Sequence, residues 1–269
     1  MRLNNLARAA RKHLRRGRPG TTPVELDPIV EFLSRLRAPE GNPATDPATA
    51  NPLWDYFQAN RTGPGIWKWV HYFEIYQRHL AKFIGHKPHV VEIGVYSGGS
   101  LGMWRHYFGS GCHVSGVDIE EACLSYAKSN TTIHIGDQAD RGFWQRFRNT
   151  APAIDVLIDD GGHTPEQQRV TLEETLPYLR PGGVYLCEDV CGDANEFAAY
   201  VYRLAAKLNS ANWTAQNETD NGSAAQATPF QQMVHSIHVY PFVVVIERTE
   251  RPVECFRAPK HGTEWQPFF

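Results

Sequence analysis

The chain has 269 residues, of which 42% are hydrophobic and 21% are charged, and its formal net charge is -2. These proportions exclude a chain that is disordered throughout and predict an ordinary buried core. The near-neutral charge argues against a nucleic-acid binder with a broad phosphate-binding face, and favours small-molecule or polar polymer substrates. We expect one large α/β domain with an N-terminal extension.

Residues 1–21 are predicted to form a basic tail, because the first 18 residues carry seven basic side chains and no acid. The tail lacks the apolar segment of a signal peptide, so export is not expected. It is either a solvated terminus or an amphipathic helix that contacts an anionic membrane or a partner. Apolar runs elsewhere are far too short to cross a bilayer, so we expect a soluble, cytoplasmic protein without a transmembrane segment.

Residues 22–86 are predicted to be a mainly helical extension, with a short helix around the apolar residues 29–33. Farther along, Trp69, Tyr72, Phe73, Tyr76 and Leu80 recur at helical spacing and predict one apolar face packed in the core. The five cysteines show no CxxC spacing, and each is expected to be a small buried hydrophobic residue.

Residues 87–269 alternate short β-branched runs with segments of helix length, which is typical of βα units around a parallel sheet. Strands are predicted over residues 89–95, 112–118, 131–137, 154–160 and 183–189. Helices are predicted over residues 98–108, 120–129, 141–148, 164–179 and 193–208. Two final strands, 232–239 and 242–247, are separated by too few residues for a crossover and should be antiparallel. Residues 210–230 are polar and are either a surface loop or a lid over the substrate.

The first predicted strand runs through Glu92 into a glycine-rich turn that contains Gly94 and Gly98. Glycines at such a turn let a ligand approach the backbone, and the helix that follows offers unpaired N–H groups. The second strand ends at Asp118, where an acid can bind both hydroxyls of a ribose. The third ends near Asp137, which either contacts an adenine or caps the next helix. The dinucleotide fingerprint G-x-G-x-x-G is missing from the turn.

This pattern of Glu92-x-Gly94-x-x-x-Gly98, Asp118 and Gly136-Asp137, with Pro181-Gly182-Gly183, resembles the class I S-adenosylmethionine-dependent methyltransferases over residues 90–248. The resemblance implies a Rossmann-like seven-stranded, mostly parallel sheet that ends in an antiparallel hairpin strand. It also implies S-adenosylmethionine as cofactor. The implied cofactor-binding residues are Glu92, Gly94, Ser97, Gly98, Ser100, Asp118, Ile119, Asp137, Gln138 and Asp159.

Four carboxylates end the fourth and fifth strands: Asp159, Asp160, Glu188 and Asp189. If the strands are neighbours, these side chains crowd together at the edge where open α/β sheets bind ligands. The carboxylates could share protons, be neutralised by basic residues, or bind a hard divalent cation. Such a cation would lower the pKa of a substrate hydroxyl, and a neutral His163 at the start of a helix could remove its proton.

The combination of Asp160-Gly161-Gly162-His163 with Glu188-Asp189 resembles the metal-dependent sugar O-methyltransferases of macrolide and related natural-product pathways. The resemblance implies Asp160, Glu188 and Asp189 as ligands of Mg²⁺ and His163 as the general base. It also implies a hydroxyl acceptor on a small molecule or oligosaccharide. Upstream, Lys68, His71, Tyr72 and Glu74 resemble a segment that helps to close the cofactor site. We further expect a homo-oligomer.

Three other functions stay open at this point. A methyltransferase that acts on a phenolic or catechol hydroxyl needs the same cation but depends less on a base. A noncatalytic S-adenosylmethionine-binding protein would share the fold. A dinucleotide-dependent oxidoreductase would differ in the cofactor that it binds.

Overall fold

The computed structural model describes residues 28–37, 50–192, 194–210, 218–219 and 222–263, so the predicted basic tail lies outside the described residues. Its contacts divide the chain into two units, residues 1–44 and 45–269. In the first unit, helix α1 (Pro28–Arg35) agrees with the predicted short helix, and none of its residues is buried. In the described part of the chain, no helix has both the length and the apolar character needed to cross a bilayer.

A seven-stranded sheet forms the centre of the second unit and confirms the predicted fold class. Its strands are β1 (His89–Ile93), β2 (His113–Asp118), β3 (Thr131–Ile135), β4 (Ile154–Asp159), β5 (Leu179–Cys187), β8 (Val234–Tyr240) and β9 (Val243–Arg248). The spatial order is β3-β2-β1-β4-β5-β9-β8. The first five strands pair in parallel, whereas β9 pairs antiparallel with β5 and with β8.

Helices cover both faces of this sheet, which is why all five residues of β1 are buried. One face packs against α2 (Pro52–Ala59), α3 (Tyr72–Leu80) and α4 (Gly99–Phe108). The other packs against α5 (Arg141–Thr150), α6 (Pro165–Thr175) and α7 (Glu196–Leu208). Successive side chains of a strand therefore pack in different hydrophobic cores. Val90 packs in the core with α3 and α4, and Val91 packs in the core with α5 and α6.

Helix α3 is bonded to the antiparallel hairpin through the buried side chain of His79. Its Nδ1 lies 2.6 Å from Glu247 Oε1, and its Nε2 lies 2.9 Å from the Tyr240 hydroxyl. The hydrogen bond between His79 and Glu247 lowers the pKa of the Glu247 carboxyl to about 2. The imidazole thus joins the segment that precedes β1 to the last two strands of the sheet.

Several predictions about local structure were wrong. The segment predicted as a helix over 120–129 contains a short 3₁₀ helix, Glu121–Tyr126. Described residues of the 210–230 segment form strands of a second, three-stranded sheet, so the surface loop without secondary structure is wrong, and the lid stays a prediction. The strands of this sheet are β6 (Glu218–Thr219), β7 (Gly222–Gln226) and β10 (Cys255–Pro259), and α8 (Pro229–Met233) follows β7. Because β7 pairs with a strand some 30 residues later, local periodicity does not reveal it.

Three side chains predicted to be buried are exposed or only partly buried. Tyr72, Phe73, Tyr76 and Leu80 are buried as expected, but Trp69 is 54% exposed because it precedes α3 and does not share its apolar face. Among the cysteines, Cys112, Cys123 and Cys187 are buried, whereas Cys191 is exposed and Cys255 is partly buried. The two cysteines differ from the prediction because Cys191 lies in the loop after β5 and Cys255 begins the edge strand β10.

Candidate active site

A pocket of about 930 Å³ lies at the carboxyl ends of the parallel strands. This is the edge at which open α/β sheets bind ligands. The loops after β1 to β5 all contribute to its wall, and residues 65–69 with Tyr72, which precede or begin α3, close one side. We call residues 65–72 the closing segment. The polar and charged side chains in the lining include Lys68, Asp118, Asp137, Gln138, Asp160, His163, Glu188 and Asp189.

The glycine-rich turn between β1 and α4 contains two positions at which only glycine fits. Gly94 has φ +87°, and a Cβ there would lie 2.0 Å from the carbonyl oxygen of Asp160. Gly98 has φ +73°, and a Cβ would meet the ring of Tyr126 at 2.7 Å. Since only glycine tolerates these angles without strain, the sequence dictates a tight turn. Gly94 lines the pocket and brings this turn against the loop that bears Asp160, whereas Gly98 does not appear in the lining.

Glu92 lies beneath the turn, fully buried and outside the pocket lining. Its carboxylate accepts hydrogen bonds from the Ser100 hydroxyl at 2.7 Å and from the indole nitrogen of Trp104 at 2.9 Å. Burial raises the pKa of Glu92, an effect that nearby Lys68 opposes. Glu92 therefore ties β1 to the first turns of α4, while Ser97 and Ser100 reach the pocket.

Asp118 and Asp137 follow β2 and β3 and also line the pocket. Asp118 Oδ2 accepts hydrogen bonds from the backbone N–H groups of Val95 and Tyr96, so it stabilises the glycine-rich turn. A carboxylate can accept further bonds, so ribose hydroxyls remain within its capacity. Asp137 Oδ1 accepts from the backbone of Ala139. The alternative that Asp137 caps the next helix is wrong, because Asp140 is the N-cap of α5.

Gln138 and Asp159 form a buried polar pair, of which Gln138 lines the pocket. Gln138 Nε2 donates to Asp159 Oδ1 at 2.9 Å, and its Oε1 accepts from the backbone of Gly162 at 2.6 Å. Burial raises the pKa of Asp159 to about 7. Asp159 lies outside the pocket lining, and Gln138 also donates to the Thr171 hydroxyl of α6 at 3.1 Å. Ile119, also predicted to bind cofactor, lines the pocket with an exposed side chain.

Asp160, His163 and Asp189 face the open part of the pocket. Their donor atoms lie within 4.8 Å of one another, and His163 Nε2 is 3.5 Å from Asp189 Oδ2. His163 is 41% exposed and directly precedes Thr164, the N-cap of α6. Asp189 has φ +53°, a left-handed angle that costs most non-glycine residues free energy but that Asp adopts more readily than most.

Lys68 of the closing segment lies among carboxylates of three strands. Its Nζ is 2.6 Å from Asp160 Oδ2, 3.0 Å from both carboxylate oxygens of Glu188 and 3.8 Å from Glu92 Oε1. Burial lowers the pKa of Lys68, but the three carboxylates outweigh it and hold the pKa above its usual value. The sequence left open whether these carboxylates share protons, pair with a basic residue or bind a cation. In the structure, Lys68 pairs with Asp160 and Glu188.

Glu188 is fully engaged within the protein. Its Oε1 accepts a hydrogen bond from the Tyr76 hydroxyl at 2.6 Å in addition to its contact with Lys68. Burial raises the pKa of this carboxyl, an effect that Lys68 opposes. Glu188 does not belong to the donor group of Asp160, His163 and Asp189, although the sequence assigned it to the metal.

Two more residues of the closing segment hold Asp189. The Tyr72 hydroxyl donates to Asp189 Oδ1 at 2.6 Å, and the Trp69 indole N–H donates to the same oxygen at 3.0 Å. Sequence reasoning named Lys68 and Tyr72 only by resemblance and missed Trp69, Trp67 and Tyr96 in the wall. Of the other residues in that resemblance, His71 contacts the carbonyl of Pro241, and Glu74 lies outside the pocket lining.

Comparison with known proteins agrees with this arrangement. Residues 91–190 match a family model described as a methyltransferase domain. Over these residues the chain is similar to methyltransferases. The matched residues contain β1, β2, β3, β4 and β5 with the loops that line the pocket. The resemblance to methyltransferases stated from the sequence is thereby confirmed.

Relatives of the chain include two from Streptomyces. Demethylmacrocin O-methyltransferase of Streptomyces fradiae is 29% identical over 198 residues, 68% of this chain and 50% of that protein. The 8-demethyl-8-alpha-L-rhamnosyl tetracenomycin-C 2'-O-methyltransferase of Streptomyces olivaceus is 29% identical over 209 residues, 71% of this chain and 53% of that protein. The chain thus spans about half the length of these relatives.

A solved structure shares the fold. It is MycE methyltransferase from the mycinamycin biosynthetic pathway in complex with Mg and SAH. The TM-score is 0.62 at 22% sequence identity, over 75% of this chain and 55% of that chain. The comparison supports the assignment of the seven-stranded sheet to the Rossmann-like methyltransferase fold.

Proposed function

We propose that the chain transfers a methyl group from S-adenosylmethionine to a hydroxyl of a sugar or glycosylated metabolite, with the help of a divalent cation. One observation carries the proposal. A single pocket joins the glycine-rich turn and Asp118 on one side to Asp160, His163 and Asp189 on the other. A cofactor and an acceptor hydroxyl can therefore meet in one space, as group transfer requires.

The cofactor half of the pocket offers what S-adenosylmethionine needs. The turn around Gly94 and Ser97 would hold the methionine part, because α4 begins there and directs backbone N–H groups toward a carboxylate. Asp118 would accept the ribose hydroxyls, and Ile119 and Asp137 would lie beside the adenine. Glu92, Gln138 and Asp159 would act indirectly, by holding the turn and the loop after β4.

The acceptor half has a donor set that fits a hard divalent cation. Asp160 and Asp189 supply carboxylate oxygens, and Mg²⁺ commonly uses one or two carboxylates while water and substrate oxygens complete its shell. When bound, such an ion supplies Lewis-acid chemistry that lowers the pKa of the acceptor hydroxyl and orients it. The MycE structure is a complex with Mg and SAH, which agrees with this cofactor pair.

His163 would accept the proton that the acceptor hydroxyl loses as it attacks the methyl group. Its partial exposure lets the imidazole reach an acceptor, and the Asp189 carboxylate at 3.5 Å would hold the ring in one orientation. That carboxylate would also stabilise the positive charge that the imidazole gains. Trp69 and Tyr72 would keep Asp189 in place for this task.

The acceptor class rests on the relatives and on the pocket mouth together. The relative from S. olivaceus is named for methylation of a rhamnosyl compound. At the mouth, Trp67 is 87% exposed and Tyr96 is 75% exposed, although both line the pocket. Flat aromatic side chains with a polar edge suit a ligand that has an apolar ring face and hydroxyl groups. A cytoplasmic location and a homo-oligomeric state stay predictions.

The proposal is tested by titrating the full chain with S-adenosylhomocysteine, first in EDTA and then with Mg²⁺, and by screening methyl transfer to glycosylated and phenolic acceptors. Binding and Mg²⁺-dependent transfer to a glycoside are expected. His163→Ala should lower turnover by about 10² to 10⁴-fold while it spares cofactor affinity. His86→Ala, which changes an exposed histidine outside the pocket lining, is the matched control. Failure to bind S-adenosylhomocysteine would overturn the proposal.

A further inference from the structure

Two histidines and a glutamate lie together where α3 packs against the antiparallel hairpin. They are His79 of α3, His238 of β8 and Glu247 of β9, and we call them the hairpin triad. Each offers one nitrogen or oxygen atom, and the three atoms lie within 4.8 Å of one another. Among the described residues, the other group of three His, Cys, Asp or Glu side chains with donor atoms this close is the one in the active-site pocket.

Strand register separates the hairpin triad from the pocket. Glu247 pairs with Val184 of β5, whereas the pocket begins beyond Cys187, at the carboxyl end of the same strand. The three residues from Val184 to Cys187 span about 10 Å of extended chain. No member of the triad belongs to the pocket lining. The triad is therefore a second cluster and not an extension of the first.

The contacts of His79 have the pattern of a metal ligand with an orienting partner. Its Nδ1 lies 2.6 Å from Glu247 Oε1, and its Nε2 lies 2.9 Å from the Tyr240 hydroxyl. A histidine ligand usually donates its second ring N–H to an oxygen, which fixes the tautomer and the orientation of the ring. Tyr240 can accept that bond from Nε2. Nδ1 can then bind an ion beside the Glu247 carboxylate.

His238 supplies the second imidazole. Its ring centroid lies 4.6 Å from that of His79, and its Nε2 is 3.0 Å from the Ser236 hydroxyl. Burial and the nearby His79 lower the pKa of His238. The imidazole is therefore neutral at pH 7, and a neutral imidazole is the form that binds metal ions.

An ion requires only small movements of these side chains. Zn²⁺ holds nitrogen and oxygen ligands at about 2.0–2.1 Å, which places tetrahedral ligand atoms roughly 3.3 Å apart. The His79–Glu247 distance of 2.6 Å would grow by less than about 1 Å, and the other pairs would close by at most roughly 1.5 Å. His238 and Glu247 are partly exposed, which gives an ion access. Lys82 contacts the other carboxylate oxygen, Glu247 Oε2, at 3.1 Å.

We propose that the hairpin triad binds a Zn²⁺ ion that joins α3 to both strands of the hairpin. Two imidazoles and one carboxylate suit Zn²⁺, with water as the fourth ligand, whereas Mg²⁺ prefers oxygen ligands alone. The ion stabilises the carboxyl end of α3, and Tyr72 and Tyr76 of the same helix donate to Asp189 and Glu188. This site is independent of the proposed function.

The test is titration of the full chain with Zn²⁺ in competition with a chromophoric chelator, after EDTA treatment and dialysis into buffer with excess Mg²⁺. His238→Ala should lower Zn²⁺ affinity by roughly 10²-fold or more, because changes around a ligand alone cost about 10 to 100-fold. His235→Ala is the matched control, since it changes an exposed histidine of the same strand. It should leave Zn²⁺ affinity unchanged.

The chain has 12 histidines, so the position of the ion is determined from the variants. His163→Ala changes the histidine of the pocket and should also leave Zn²⁺ affinity unchanged. A loss of affinity in His163→Ala but not in His238→Ala would place the ion in the pocket and overturn the inference. Equal affinities in all these variants would overturn it too. Where His238→Ala does not fold, Glu247→Gln, for which the same loss is expected, decides.

Thermal unfolding of the same samples tests whether the ion joins α3 to the hairpin. Saturating Zn²⁺ should raise the melting temperature of the wild-type chain by about 3–10 °C, because a ligand that binds the folded state stabilises it. The shift in His238→Ala should be less than about half as large. Equal shifts in the two proteins would refute the proposed link between α3 and the hairpin.

Discussion

Gly94→Ala should damage both stability and the candidate site, and the structure allows its two effects to be separated. The first effect is backbone strain, because φ is +87° and a residue with a Cβ pays about 1–2 kcal/mol in left-handed conformations. The second is a clash, because the new Cβ would lie 2.0 Å from the Asp160 carbonyl oxygen and 3.1 Å from the Gly161 Cα. Relief requires the two loops to separate by more than about 1 Å.

Gly85→Ala is the matched control, since Gly85 has φ +78° and nothing lies within 4 Å of the position that its Cβ would take. It should lower the melting temperature by about 2–8 °C, from strain alone. Gly94→Ala should lower it further and reduce turnover by roughly 10²-fold, because Asp160 and the loop that bears His163 are displaced. Thermal unfolding and methyl transfer are the measurements. Similar values for the two variants would refute the close-approach argument.

Three further predictions concern other contacts of the site and core. Trp69→Phe removes the hydrogen bond to Asp189, so turnover should fall several-fold with a stability loss of about 1 kcal/mol, whereas Tyr202→Phe, at an exposed side chain outside the pocket lining, should change neither in denaturant and rate measurements. Burial raises the pKa of Asp159 from 3.8 to about 7, so its contribution to stability is fully present below about pH 4 and is lost as the pH rises through 7. When melting temperature is measured against pH, Asp159→Asn should flatten the curve over this range. His79→Phe removes the hydrogen bonds to Glu247 and Tyr240, although Glu247 keeps its bond to Lys82, and should cost about 1–3 kcal/mol in denaturant unfolding, while calorimetry finds unchanged S-adenosylhomocysteine affinity.

The parallel sheet and its edge hairpin could be predicted because each strand is a short apolar run with its own boundary signals. The same local reasoning put Asp118, Asp160 and Asp189 at the carboxyl ends of strands, where the structure has them in one pocket. Strand ends of a parallel sheet meet at one edge whatever the loops do. This part of the site follows from strand order alone.

The role of Lys68 could not be derived in the same way. Lys68 is 92 residues from Asp160 and 120 residues from Glu188, and no periodicity links positions so far apart. Trp69 was misassigned for a related reason, since helical spacing extended the apolar face of α3 beyond the start of the helix. Long-range contacts of irregular segments depend on the completed fold, so sequence patterns predict them poorly.

The closing segment forms one wall of the pocket with polar contacts rather than with a buried apolar surface. An apolar cover would gain its stability from burial, yet Trp67 and Trp69 remain largely exposed. The segment is held instead by polar bonds that Lys68, Trp69 and Tyr72 donate to the carboxylates of Asp160, Glu188 and Asp189. Hydrogen bonds to ionised carboxylates are stronger than those to neutral groups, so the position of the closing segment depends on the charge of the site. Substitutions that neutralise these carboxylates should therefore loosen the closing segment as well as weaken cation binding.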